Sequence, residues 1–154
     1  MRRRLDTQVG VPGAVCVVPM AGKGQRFVER GYHTRKPFLY IGAGTRMVVA
    51  AALCLPRAHM RFGCLAEDEE PTRVAADQYA RLAAARDTPA VVVMPGETRG
   101  GACTVAACIA DLDPATPIFV SACDNGALYN VEAHQRLLDD ASVDVIVWSF
   151  RRDP

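Results

Sequence analysis

At 154 residues, half of them hydrophobic, the chain suits one domain with a substantial core rather than two domains of ordinary size. A formal net charge of +1 with 23% charged residues gives no broad basic field for nucleic acid or an anionic membrane, so any phosphate recognition must be local. The longest uninterrupted apolar stretch, Met47 to Leu55, stops at Pro56 and is far too short to cross a bilayer.

In chain order, Met1-Arg2-Arg3-Arg4 carries the charge of a signal peptide but leads into Leu5-Asp6-Thr7-Gln8 instead of an apolar segment, so residues 1–10 read as a flexible basic tail and the domain begins near Val11. Ala14 to Val18 reads as a buried strand that runs into a glycine loop, Pro19 to Phe27. Phe38 to Ile41 is expected to be a short extended segment, followed by a turn at Gly42-Ala43-Gly44 and a helix from about Arg46 to Leu55. Met60 to Leu65 is a second strand. The acidic run Glu67-Asp68-Glu69-Glu70 reads as the solvated start of a helix from about Pro71 to Arg86, with negative charge at its positive end. A third strand is expected over Ala90 to Met94, and Gly100-Gly101 opens a helix to about Leu112. Pro117 to Ala122 is a fourth strand ending at Asp124-Asn125-Gly126, before a helix from about Val131 to Asp140 and a final strand, Val143 to Phe150, with Trp148 in the core. His33, His59 and His134 have no partners at ligand spacing and are expected at solvated positions. The six cysteines lie mostly in apolar segments without a Cys-x-x-Cys pair, and are expected to be reduced, buried thiols of a cytoplasmic protein.

Strands alternating with helices predict an α/β fold, a Rossmann-like three-layer sandwich with a mostly parallel sheet and right-handed crossovers. Parallel strands put their carboxyl ends on one edge, where ligands bind in open sheets. Three loops there contain suggestive residues. In the first, Gly22 and Gly24 let backbone N–H groups approach phosphate oxygens, while Arg26 and Lys36 supply fixed positive charge. A dinucleotide fingerprint needs a third glycine where Phe27 stands, and a Walker loop needs Gly-Lys-Ser/Thr, which is absent. The second loop, Pro95 to Ala102, offers the Thr98 hydroxyl, small residues and main-chain groups against which a planar base can lie. In the third, Asp124 ends a buried strand, a usual place for a carboxylate that holds Mg²⁺. Asn125 suits either the site or a turn. No Gly-x-Ser-x-Gly elbow or Cys/His signature supports covalent catalysis.

The pattern Gly22-x-Gly24-x-Arg26-Phe27 with Thr34-x-Lys36-Pro37 resembles the signature of the sugar-phosphate nucleotidylyltransferases, the nucleoside-diphosphate-sugar pyrophosphorylases. It departs from the usual Pro-Lys by carrying Arg35 before Lys36. The resemblance spans about Ala14 to Phe150 and implies the nucleotide-diphospho-sugar transferase type of fold, apparently lacking its C-terminal part. It also implies Mg²⁺ as cofactor and transfer of NMP from an NTP to a sugar phosphate or related phosphorylated small-molecule acceptor, releasing pyrophosphate. Ala21, Gly22, Gly24, Thr98, Gly100 and Ala102 would bind the nucleotide, Arg26 and Lys36 would be catalytic, and Asp124 would hold the metal. Further residues that bind the acceptor, and a second metal aspartate, would be expected beyond Val143 to Phe150, a role not assigned to Asp153. On that basis the chain is expected to bind NTP better than it transfers NMP, and to associate with itself or with a partner chain. Nucleic-acid and membrane partners are not expected. A non-catalytic nucleotide-binding or partner-binding subunit and a nucleotide-sugar-dependent glycosyltransferase stay open as alternatives.

Overall fold

The computed structural model describes residues 11–149. The expected basic tail over residues 1–10, and Phe150 and Asp153, lie outside the described residues.

Four strands form one parallel sheet in the order β3-β2-β1-β4, with β1 at Val15–Pro19, β2 at His59–Leu65, β3 at Ala90–Met94 and β4 at Ile118–Val120. Each coincides with an apolar run, the pattern of parallel strands; β1 is covered on both faces, whereas Ile118 and Val120 leave β4 partly exposed. Cys16 lies in register between Met60 and Phe119, and Val17 between Arg61 and Val120. Successive side chains of β1 serve opposite faces. Cys16 and Val18 join a core with α2 (Met47–Ala52) and α3 (Glu69–Ala83), whereas Val15 and Val17 join another with α4 (Gly101–Cys108). The product is an α/β sandwich of Rossmann-like type. Gly63, inside β2, is where α4 comes close: a β-carbon there would meet Cys108 Sγ at 2.5 Å and Thr104 Cγ2 at 2.9 Å. Glycine in a strand interior is the sequence mark of such an approach.

Several local expectations need correction. Lys36–Phe38 is a 3-10 turn, so the expected extended segment does not include Phe38; Leu39 is extended, and Tyr40 makes only an isolated antiparallel bridge to Arg46. Helix α3 starts at Glu69, with Pro71 inside its first turn, where a missing N–H leaves no helical acceptor unsatisfied. Asp68 is buried rather than solvated, because Arg35 reaches it. Cys103 is exposed on α4, while Cys16, Cys64 and Cys108 are buried, and all six cysteines are free. No helix among the described residues is long and apolar enough to cross a membrane.

Among the described residues the expected final strand does not form. Residues 143–149 have no regular secondary structure, and Val145 and Val147 are exposed, since the segment finds no ladder partner. Trp148 is accordingly not core: at 45% exposure it packs edge-on against Tyr129 and His134, with ring centroids 4.2 and 4.9 Å away. His134 is not solvated. It sits on α5 (Val131–Leu138), whose start is capped by the Asn130 side chain accepting from Ala133 N at 2.9 Å. That placement buries its ring among Phe119, Tyr129 and Trp148.

Burial lowers the pKa of His134, and its Nε2 has no hydrogen-bond partner among the described residues. An unfolded imidazole, at about 6.5, therefore takes up its proton first. The neutral ring contributes stability that is full above that value and is lost as pH falls through the lower folded value. Urea midpoints should fall on acidification below about pH 6.5, and His134→Phe should flatten that part of the curve. Fluorescence of Trp148, the only tryptophan, should follow the same titration. An unchanged pH profile in His134→Phe would contradict this account.

Candidate functional site

The strand order reverses at β1, with β2 and β3 on one side and β4 on the other. In an open parallel sheet the loops leaving the carboxyl ends of two such strands part, and a crevice opens between them. The loop after β1 carries the two glycines, and the loop after β4 carries Asp124.

The first loop is short and exposed. Gly24 has φ 63°, a left-handed conformation that strains any residue with a side chain, and it opens the one-turn helix α1 (Gln25–Val28). Arg26 is exposed on that turn. Ala21 is buried with Val17, Leu65 and Met94, so its methyl belongs to the core and only its backbone is left for a ligand. Phe27 packs against Tyr32 at 5.4 Å and lies under the Lys36 ammonium, 5.2 Å from the ring centroid. A cation over an aromatic face is held electrostatically. Pro37 and Phe38 are buried and anchor the turn that presents Lys36.

Lys36 Nζ makes an ion pair with Asp124 across 88 residues of sequence, and each side chain is about three-quarters covered. The loop carrying Asp124 rests on the end of α2, where a β-carbon at Gly126 would come within 2.8 Å of Cys54 Sγ. A second, exposed ion pair joins Lys23 Nζ to Glu97 Oε2 at 2.7 Å, linking the glycine loop to the loop after β3, and the contact with Glu97 raises the Lys23 pKa. The three loops are therefore joined by side chains as well as by the sheet.

The second loop differs in detail from its expected use. The Thr98 hydroxyl bonds to Thr104 Oγ1 at 2.7 Å and donates to the Gly100 carbonyl at 3.2 Å, so in the ligand-free protein it ties the loop to α4. Gly100, at φ 152°, precedes α4, and its carbonyl accepts from the backbone N–H groups of Cys103 and Thr104. Ala102 is exposed and lines an apolar groove of about 610 Å³ with Val105, Val120 and Ala122. Asn125 and His33 are exposed.

Burial pushes the thiol of Cys123, next to Asp124, up to about 11, so it is neutral at physiological pH and no thiolate nucleophile stands there. Among the described residues no group of three or more His, Cys, Asp or Glu could hold a metal ion unaided.

Sequence reasoning missed Arg35, Glu67, Asp68 and Glu97 as members of this network. Arg35 Nε lies 3.0 Å from Asp68 Oδ2, its Nη1 donates to Glu67 Oε1 at 3.1 Å, and its Nη2 donates to the Gly22 carbonyl at 2.9 Å. The available signal was the arginine itself, standing before Lys36 in the signature.

No family model, curated protein or solved structure matches this chain.

The two ion pairs that join the loops should differ in strength, because solvent and salt screen an exposed pair far more than a half-buried one. A double-mutant cycle with Lys36→Met and Asp124→Asn should give a coupling on the order of 1 kcal/mol or more. The corresponding cycle for Lys23 and Glu97 should give no resolvable coupling at 0.5 M salt. Equal couplings would contradict the geometry.

Proposed function

We propose that the chain binds a nucleoside triphosphate with Mg²⁺ over the crevice between β1 and β4, as a nucleotidyltransferase of the NDP-sugar pyrophosphorylase type. NMP passes to a sugar phosphate or related phosphorylated metabolite, and pyrophosphate leaves. The observation that carries the reading is the contact between Lys36, from the signature after β1, and Asp124, from the end of β4, at the point where strand order reverses. A cation and a carboxylate meeting there form the two halves of a phosphate and metal site, each neutralising the other in the ligand-free state.

Asp124 suits Mg²⁺ that arrives with a triphosphate: the ion accepts one or two carboxylates and completes its shell with phosphate oxygens and water. When bound, Mg²⁺ supplies neutralisation of charge on the phosphate oxygens. The chain's own groups do the rest. Amides around Gly22 and Gly24 cradle the phosphates, and Arg26 holds the leaving pyrophosphate. Lys36 exchanges Asp124 for the α-phosphate, and main-chain groups around Gly100 and Ala102 meet the base. An oxygen of the acceptor phosphate attacks the α-phosphorus as the bond to the bridging oxygen of pyrophosphate breaks. A dianionic acceptor needs no general base, so catalysis is alignment and charge neutralisation.

Calorimetric titration with the four common NTPs and Mg²⁺ should show binding of at least one, and pyrophosphate release should depend on an added phosphometabolite. Binding without release under any acceptor would favour the non-catalytic nucleotide-binding subunit. Failure of every NTP to bind would remove the reading altogether.

Charge-assisted phosphate contacts contribute about 1.5 to 3 kcal/mol, so Lys36→Ala should weaken triphosphate binding by about 10-fold or more. Lys23→Ala, which removes an exposed cation already paired with Glu97, should change affinity little. Equal, negligible losses would sink the role given to Lys36.

A further inference from the structure

Arg35 is the best-connected cation among the described residues, and nothing in the proposed chemistry uses it. Its side chain is about three-quarters covered, and its guanidinium meets three acceptors from two separate segments. One is the carbonyl of Gly22 in the glycine loop, at 2.9 Å. The others are the carboxylates of Glu67 and Asp68, in the 3-10 turn Ala66–Asp68 that follows β2. Asp68 is fixed in turn: it is 4% exposed, and its own carbonyl accepts the Thr72 hydroxyl at 2.6 Å. Arg35 immediately precedes Lys36, and its carbonyl accepts from Phe38 N at 2.9 Å, closing the 3-10 turn that presents the lysine.

We propose that Arg35 is a positioning residue: it clamps the glycine loop and the Lys36 turn to the rigid end of β2, and so sets the spacing between the loop amides and the Lys36 ammonium that a triphosphate meets. Only a planar guanidinium presents N–H groups in the directions this task needs. A lysine at the same place reaches one acceptor at a time. Gly22 has no side chain to hold it, and a β-carbon there would meet nothing within 4 Å, so packing does not fix Gly22 itself. The hydrogen bond to its carbonyl does. The triphosphate half of the proposal rests on the functional reading above, whereas the clamp itself is a property of the ligand-free protein.

The test uses four proteins: wild type, Arg35→Ala, Arg35→Lys and Arg35→Ala with Asp68→Asn. The double variant removes the buried carboxylate that the single variant would leave uncompensated, and its unfolding midpoint is expected close to that of wild type. Amide exchange is followed in the ligand-free protein at Phe27, Phe38 and Leu39, whose N–H groups bond to Gly24, Arg35 and Lys36 carbonyls within the clamped segments. Exchange there should quicken by about 10-fold or more in the double variant, as local opening becomes easier, with amides of β1 unchanged. Affinity for Mg²⁺ with each common NTP should fall by about 10-fold, and Arg35→Lys should recover part of both effects.

Unchanged exchange at these three amides in the double variant would overturn the clamp. Faster exchange with undiminished NTP affinity, or full recovery by lysine, would overturn the positioning role. If wild type binds no NTP, the functional reading falls, and the exchange measurement still decides the clamp.

Discussion

Reversal of strand order at β1 is the constraint on which the rest of the site depends. The chain builds β1, β2 and β3 outward in one direction and then returns to lay β4 on the free side of β1. Because all pairings are parallel, this brings a loop from the start of the domain beside one a hundred residues later, with no local preference of either loop required. Lys36 and Asp124 meet for that reason. The close packing that supports the sheet is equally particular: Gly63 admits α4 against β2, and Gly126 admits the Asp124 loop against Cys54 at the end of α2. Both glycines adjust distances between layers, so the site depends on interior packing as well as on its own residues.

Charge around the crevice is organised as internal pairs. Lys36 rests on Asp124, Lys23 on Glu97, and Arg35 on Glu67 and Asp68. These pairs are unequal in physical character. The exposed Lys23 pair is screened by water and salt, whereas the partly covered pairs hold defined geometry. A polyanion with its cation could replace the Lys36–Asp124 contact without leaving either group unpaired, since lysine would gain phosphate and aspartate would gain metal. Arg35 is different: its acceptors are protein groups, one a main-chain carbonyl, and a ligand offers them no replacement.

Much of the architecture was legible because the parallel strands read as continuous apolar runs, with β1 covered on both faces. Ala14 to Val18, Met60 to Leu65, Ala90 to Met94 and Pro117 to Ala122 each contain most of an observed strand. The same reasoning failed for Val143 to Phe150, because apolar composition reports a wish to be covered and a strand also needs a ladder partner. His134 illustrates a second limit. Its cage of Phe119, Tyr129 and Trp148 is assembled from β4, the loop before α5 and a later segment, and no spacing along the chain announces it. In the candidate site, the glycines, Lys36 and Asp124 were legible as motif residues, but the Arg35 network was not, since Asp68 lies 33 positions beyond its partner and sits in a run that reads as solvated charge. Thr98 shows a detail that spacing does not reveal: in the ligand-free protein its hydroxyl bonds to Thr104 and Gly100.

The central claim is that loops from three strand ends act as one site for a triphosphate and Mg²⁺. Backbone amide chemical shifts, followed by NMR as Mg²⁺ and an NTP are added together, test it most directly. The account predicts that signals from Gly22 to Gly24, from Gly100 to Ala102 and from Asp124 to Asn125 move in concert with a single dissociation constant. Shifts confined to one of these loops, or clustered at the amino-terminal edge of the sheet, would contradict it.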